Sequence, residues 1–146
     1  MKIAVINGPN LNLLGVREPE VYGRESLADV EKTLRQVAAE LSVEITFAQH
    51  NGEGQLIDAI HALRGKADAA IVNAGAYSHS SLAIRDALVG VSLPFVEVHV
   101  TNVHAREPER RHSMLASAAV GVICGLGTHG YELALRGLAR SLSARA

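Results

Sequence analysis

At 146 residues the chain suits one domain, since a protein of this size buries about two thirds of the surface its unfolded form exposes and so has room for a real core. Its 48% hydrophobic and 20% charged residues exclude a disordered composition, and a formal net charge of −1 excludes the broad basic face that nucleic-acid binding needs. A single cysteine excludes an internal disulfide, and no apolar run approaches the roughly 20 residues that span a bilayer. The apolar start of MKIAVINGPN is too short for a signal peptide, so a soluble, unprocessed, cytoplasmic protein is expected, with neither nucleic acid nor membrane as partner.

In chain order, the β-branched run KIAVIN predicts a first strand, followed by the loop GPNLNLLGVREPEVYG. A helix begins near Ser26, with Ser26 and Asp29 as an N-cap pair. The second strand is VEITFAQ, and a helix from near Glu53 closes at Gly65. AAIVNA is the third strand, its loop NAGAYSHSS leading into a helix that starts near Ser80 and closes at Gly90. PFVEVHV forms the fourth strand and is followed by the arginine-rich TNVHAREPERRH. VGVIC is the fifth, with Cys124 read as a small buried core residue, and a last helix begins at His129. No repeat, linker or low-complexity tract divides the chain, so residues 1–146 are expected to form one α/β domain around a doubly wound, five-stranded parallel sheet. Such a sheet places its ligand crevice at the carboxyl ends of the strands, by the topological switch point.

The polar and ionisable residues crowd into three of the loops at that end. Alternation along the fourth strand puts Phe95, Glu97 and His99 on one face, so an acid and an imidazole point the same way from a strand end. Beyond them Arg106, Arg110 and Arg111, partly offset by Glu107 and Glu109, suit the binding of a carboxylate or a hydroxyl-rich anion. After the third strand, Asn73, Gly75 and His79 precede a helix start capped by Ser80 or Ser81, a setting for a small polar ligand. The first loop lacks the glycine spacing of either common phosphate-cradling motif. Its Tyr22 stands outside any periodic apolar pattern. A cation brought close, such as Arg17, favours the phenolate and makes a general base of it. Gly15 and Gly23 bound the segment as they would a lid.

With INGPNLNLLG, REPEVYG, NAGAYSHSSLAIRDAL, EVHVTN, HARE and GLGTHGYELAL in this order, the chain resembles type II 3-dehydroquinate dehydratases from Lys2 to about Leu138. The resemblance implies a flavodoxin-like subunit, a homo-oligomer of trimers gathered into a dodecamer, and no metal or organic cofactor. It implies a hydro-lyase that turns 3-dehydroquinate into 3-dehydroshikimate and water by trans elimination through an enolate, chemistry that serves aromatic biosynthesis and quinate breakdown alike. By the same resemblance Tyr22 is the base, Arg17 its activating partner, and His99 the acid that protonates the departing hydroxyl. Asn10 holds a water against the enolate oxygen, and Glu97 orients His99. Asn73, His79, Arg110 and the backbone at Val100 and Thr101 bind substrate, and Asp86 reaches the site from a neighbouring subunit.

The chain departs from the family pattern at Pro108, Glu109 and Met114 in the arginine loop, and at His50. These positions bear on the loop's packing and on the role of Arg111. Lysines occur only at positions 2, 32 and 66, none in a loop assigned to the site, which disfavours a Schiff base. Two other readings are a non-catalytic flavodoxin-like module for a small ligand or partner protein, and metal-assisted hydrolysis through His99, His104 and His112. The first lacks phosphate-cradling spacing or stacking aromatics, and the second lacks ligand spacing and supporting carboxylates.

Overall fold

The computed structural model describes residues 1–146. Strands β1 (Lys2–Asn7), β2 (Glu44–Gln49), β3 (Ala69–Asn73), β4 (Phe95–His99) and β5 (Gly121–Cys124) pair in parallel in the order β2-β1-β3-β4-β5. This is the flavodoxin-like doubly wound order, with its switch point between β1 and β3. A single turn α1 (Pro19–Tyr22) follows β1, and the longer helices are α2 (Leu27–Glu40), α3 (Glu53–His61), α4 (Leu82–Gly90) and α5 (His129–Ser143). Proline at the first position of α1 presets its backbone for the turn.

Helices α2 and α5 cover one face of the sheet, and α3 and α4 the other. Alternation along each inner strand divides the core accordingly. Ile3, Val5, Ile71, Val96 and Val98 face α2 and α5, whereas Ala4, Ile6, Ala70, Val72 and Phe95 face α3 and α4. Both faces being covered, β1, β3 and β4 read in the sequence as nearly continuous apolar runs. Cys124 is only partly buried, contrary to expectation, because β5 is an outer strand with a neighbour on one side alone.

The expected cap of α2 is present in full: the Asp29 N–H donates to Ser26 Oγ at 3.1 Å and the Ser26 N–H to Asp29 Oδ2 at 2.9 Å. Ser81, rather than Ser80, caps α4, accepting from the Ile84 N–H at 3.0 Å. Gly90 lies inside α4, and the left-handed residue that ends this helix is Ser92, at φ 55°. The stop is set by the apolar residue that follows: the Leu93 N–H reaches back to the Leu88 carbonyl at 3.5 Å as Leu93 enters the core. Ser42 and Val43 end α2 in the same way, with the Val43 N–H donating to the Ala38 carbonyl at 2.8 Å.

Candidate active site

The loops after β1 and β3 cross in direct contact. A Cβ on Gly8 would stand 2.3 Å from the Ala74 carbonyl oxygen, and one on Gly75 would stand 2.9 Å from that of Pro9, so neither position admits a side chain. The crossing leaves a cleft with a free space of about 800 Å³, mouth included, at the carboxyl ends of β1, β3 and β4. Asn10, Arg17, Tyr22, Asn73, His79, His99, Val100, Thr101 and Arg110 all line it, as the sequence led us to expect of one composite site. Two expected residues do not. Glu97 lies behind His99, and Asp86 is exposed on α4.

Glu97 and His99, two apart on β4, meet at 2.7 Å between Oε1 and Nε2. The carboxylate is wholly buried and His99 is 6% exposed, so the pair is fixed to the sheet and opens to the cleft only through the imidazole. Because Nε2 is held by Glu97, the nitrogen left for a ligand is Nδ1. A second donor reaches the same carboxylate oxygen: Ser113 Oγ lies 2.6 Å from Glu97 Oε1.

Tyr22 is half-buried, its ring resting on the core beneath α2 and α5. Arg17 stands over that ring with its guanidinium carbon 4.9 Å from the centroid. The hydroxyl is met instead by Arg106, whose Nη1 donates to Tyr22 Oη at 2.8 Å and also approaches Thr101 Oγ1 at 3.4 Å. Two cations thus flank one phenol, one above its face and one at its oxygen.

Asn73 is 4% exposed and positioned from behind. Its Nδ2 donates to Tyr131 Oη at 2.9 Å, and its Oδ1 accepts from the Gly75 N–H at 3.2 Å. Tyr131, from α5, is fully buried and donates in turn to Asn7 Oδ1 at 2.5 Å. Burial pushes the Tyr131 phenol well above its usual titration range, opposed in part by Asn73, so it is neutral at every working pH. His79 stacks beside His99, with ring centroids 5.8 Å apart and planes at 20°. Its Nδ1 lies 2.8 Å from the His112 carbonyl, which can only accept, so Nδ1 carries the hydrogen and Nε2 is the free nitrogen. Burial lowers the His79 pKa; the His112 carbonyl opposes this, and the charges of His99 and Arg110 add to the lowering.

Arg110 lines the cleft while its Nε pairs with Glu107. Arg111 is exposed and donates through Nε to the Arg106 carbonyl at 2.9 Å, which bends the loop that presents Arg106. Pro108 and Glu109, departures from the family pattern, lie in a 3-10 turn at Pro108–Arg110. Asp86 has no ion pair within the chain, and its neighbour Arg85 approaches Ser117 Oγ at 3.5 Å. His99, His104 and His112 do not converge: no three His, Cys, Asp or Glu residues gather where one ion would touch them all. Nothing in the sequence pointed to Asn7, Ser113 or Tyr131, and Arg106 stood out only as one of the arginines beyond the fourth strand suited to an anion, not as a partner of Tyr22.

Residues 1–139 match the family model described as Dehydroquinase class II. The 3-dehydroquinate dehydratase of Gemmatimonas aurantiaca is 61% identical over 142 residues, covering 97% of this chain and 93% of that one. The catabolic 3-dehydroquinase of Verticillium alfalfae is 56% identical over 141 residues, covering 97% and 94%. Among solved structures, the type II dehydroquinase from Propionibacterium acnes superposes with a TM-score of 0.91 at 40% identity, over 95% of this chain and 96% of its own.

Proposed function

The chain belongs to the class II dehydroquinase family, and on that footing we propose that it dehydrates 3-dehydroquinate to 3-dehydroshikimate by trans elimination through an enolate, Tyr22 acting as base and His99 as acid. The observation that carries the mechanism is that a phenol contacted by two arginines and a carboxylate-held imidazole line the same cleft. Tyr22, as the phenolate, takes the proton from the carbon beside the ketone and becomes the neutral phenol, Arg106 and Arg17 having offset the negative charge that it carried before the transfer. Charge then develops on the ketone oxygen, and preorganised donors there typically contribute a few kcal/mol each. Asn10, at the mouth of the β1 loop with φ 69°, is assigned to that oxygen through a water.

His99 protonates the leaving hydroxyl from Nδ1, because Nε2 is committed to Glu97. A neutral His79 beside it accepts a substrate hydroxyl at Nε2 without adding a second positive charge to the acid's surroundings. Asn73, Arg110 and the backbone at Val100 and Thr101 hold the remaining hydroxyls and the carboxylate. None of the lysines, at positions 2, 32 and 66, lines the cleft, which supports an enolate over an imine. Asp86 is assigned to the cleft of a neighbouring subunit, within trimers gathered into a dodecamer. Its exposure on α4, outside the lining of its own cleft and without an ion pair, supports that reading. The enzyme works in the cytoplasm without a cofactor.

The test is to add 3-dehydroquinate to purified protein and follow the ultraviolet absorbance of the conjugated enone product. Steady growth of that band is expected with wild type and not with His99→Ala. A flat trace at micromolar enzyme would refute the assignment.

A further inference from the structure

Ser113 has no contact with the cleft, yet it supplies one of only two hydrogen bonds made by the carboxylate behind His99. Glu97 is wholly buried, and its Oε2 has no hydrogen-bond partner within the chain, so the carboxyl group is held through Oε1 alone. Two groups meet that oxygen, His99 Nε2 at 2.7 Å and Ser113 Oγ at 2.6 Å.

The hydrogens around Ser113 fix their own direction. Its Oγ accepts from the Leu115 N–H at 3.0 Å and the Ala116 N–H at 3.1 Å, which occupies both of its lone pairs. The single hydroxyl hydrogen is then left to point at Glu97, and Oε1 must be an acceptor there. A hydrogen on Oε1 would oppose the serine hydrogen, and the serine cannot turn away without giving up two backbone bonds. The remaining bond at Oε1 is therefore one in which His99 donates from Nε2, leaving Nδ1 to handle the substrate's proton.

We infer that Ser113 is a positioning residue for the proposed dehydration, acting through Glu97 to keep that carboxylate an acceptor, so that His99 can hold a hydrogen on Nε2 toward Glu97 and carry the second on Nδ1, turned to the leaving hydroxyl. Without it, a buried carboxyl group with one free oxygen can take a proton on Oε1 and present it to a neutral imidazole. That arrangement places no charge in the low-dielectric interior and leaves His99 a neutral imidazole, whose Nδ1–H is a far weaker acid than that of the imidazolium which an ionised Glu97 supports. The residue lies within the arginine loop, after the departures at Pro108 and Glu109 and beside that at Met114, so the loop both lines the cleft and reaches beneath its acid. This inference rests on the assignment of His99 as acid, so the experiment separates the two.

Wild type and His99→Ala are assayed first with 3-dehydroquinate; if His99→Ala turns over like wild type, the acid assignment itself fails, and the inference with it. With His99 shown essential, Ser113→Ala is expected to lower kcat roughly 10- to 100-fold, the range for losing a hydrogen bond to a charged group. KM should stay within about threefold, since no substrate contact is removed. Ser113→Thr, which keeps the hydroxyl, should restore most of the rate. The deciding arm is the double variant: in a Glu97→Ala background, Ser113→Ala should cost less than about twofold more, because the only route from Ser113 to His99 is gone. If Ser113 merely stitches the loop through the Leu115 and Ala116 N–H groups, the losses multiply, and the inference is overturned. It is equally overturned if Ser113→Ala retains wild-type kcat. Should Ser113→Ala not assemble, Ser113→Cys, a weak donor of larger size, takes its place and must show the same loss and the same disappearance of that loss with Glu97→Ala.

Discussion

Replacing Tyr131 by phenylalanine isolates one oxygen atom at the junction between the core and the cleft. The ring and its packing against α2 and the sheet remain, but the hydroxyl that donates to Asn7 Oδ1 and accepts from Asn73 Nδ2 is lost. Both partners are almost fully buried, at 1% and 4% exposure, so water cannot readily replace the lost bonds. A buried polar group left without its partner costs about 1–3 kcal/mol. Asn73 keeps its second anchor at the Gly75 N–H, which places the expected total at about 2–4 kcal/mol. With a urea dependence of about 2 kcal/mol per molar, the unfolding midpoint should fall by roughly 1–2 M. The measurement is urea unfolding followed by circular dichroism at one fixed protein concentration, because the midpoint of the proposed dodecamer would depend on concentration. A second arm uses alkali. The unfolded tyrosine ionises near pH 10 while the folded one resists, so this residue's stabilisation is complete below about pH 10 and fades as pH rises above it. Tyr131→Phe should lose less stability than wild type over that alkaline range. A midpoint within about 0.3 M of wild type would show that the buried triad of Asn7, Asn73 and Tyr131 does not hold the cleft together as described.

Tyr22→Phe is expected to abolish turnover while leaving substrate affinity nearly unchanged; retention of more than about a tenth of wild-type kcat, a loss of only ~1.4 kcal/mol, contradicts its role as base. Borohydride added during turnover should leave the protein's mass unaltered, and an adduct on any lysine would replace the enolate with an imine. Because the folded His79 resists the proton that its unfolded counterpart accepts below about pH 6.5, stability should decline as pH falls through that region. His79→Gln should flatten the decline in thermal-unfolding scans, and an unchanged slope would show that His79 is not the group responsible. If Asp86 serves a neighbour's cleft, mixing inactive Tyr22→Phe chains with folded, assembled but inactive Asp86→Ala chains under reversible dissociation should restore activity. Confirmed mixed oligomers that recover nothing would end that proposal, as would an Asp86→Ala variant that is fully active.

The strands were legible because β-branched runs bounded by turn residues leave few alternatives, and the loops were legible as a site because a parallel sheet gathers them at one end. The pairing of Glu97 with His99 was legible for a local reason, the two-residue period of a strand. What could not be read was contact across long stretches of chain. Arg106 is 84 residues from Tyr22, and Tyr131 is 124 from Asn7, distances at which no spacing rule operates. Arg17 stood out as a partner for Tyr22 because it lies five residues away, whereas the cation at the hydroxyl comes from the loop after β4. Ser113 gave no signal, since a serine in a polar loop is ordinarily a turn residue. The misplaced cap at Gly90 has a similar origin: glycine preference is local, but the burial of Leu93 decided where the helix stops.

The division of the core by the sheet has a consequence for how a ligand is felt. Tyr22 rests on the side built by α2 and α5, whereas Glu97 and His99 stand on the Phe95 side of β4, the face of the sheet that α3 and α4 cover. A molecule touching both Tyr22 and His99 therefore ties together two hydrophobic masses that otherwise communicate only through the backbone of the sheet. Its binding should slow amide hydrogen exchange in α2 and α4 together, whereas a cavity cut into one side, such as Leu135→Ala, should loosen that side's half of the cleft and leave the opposite half's exchange unaltered until the ligand is added.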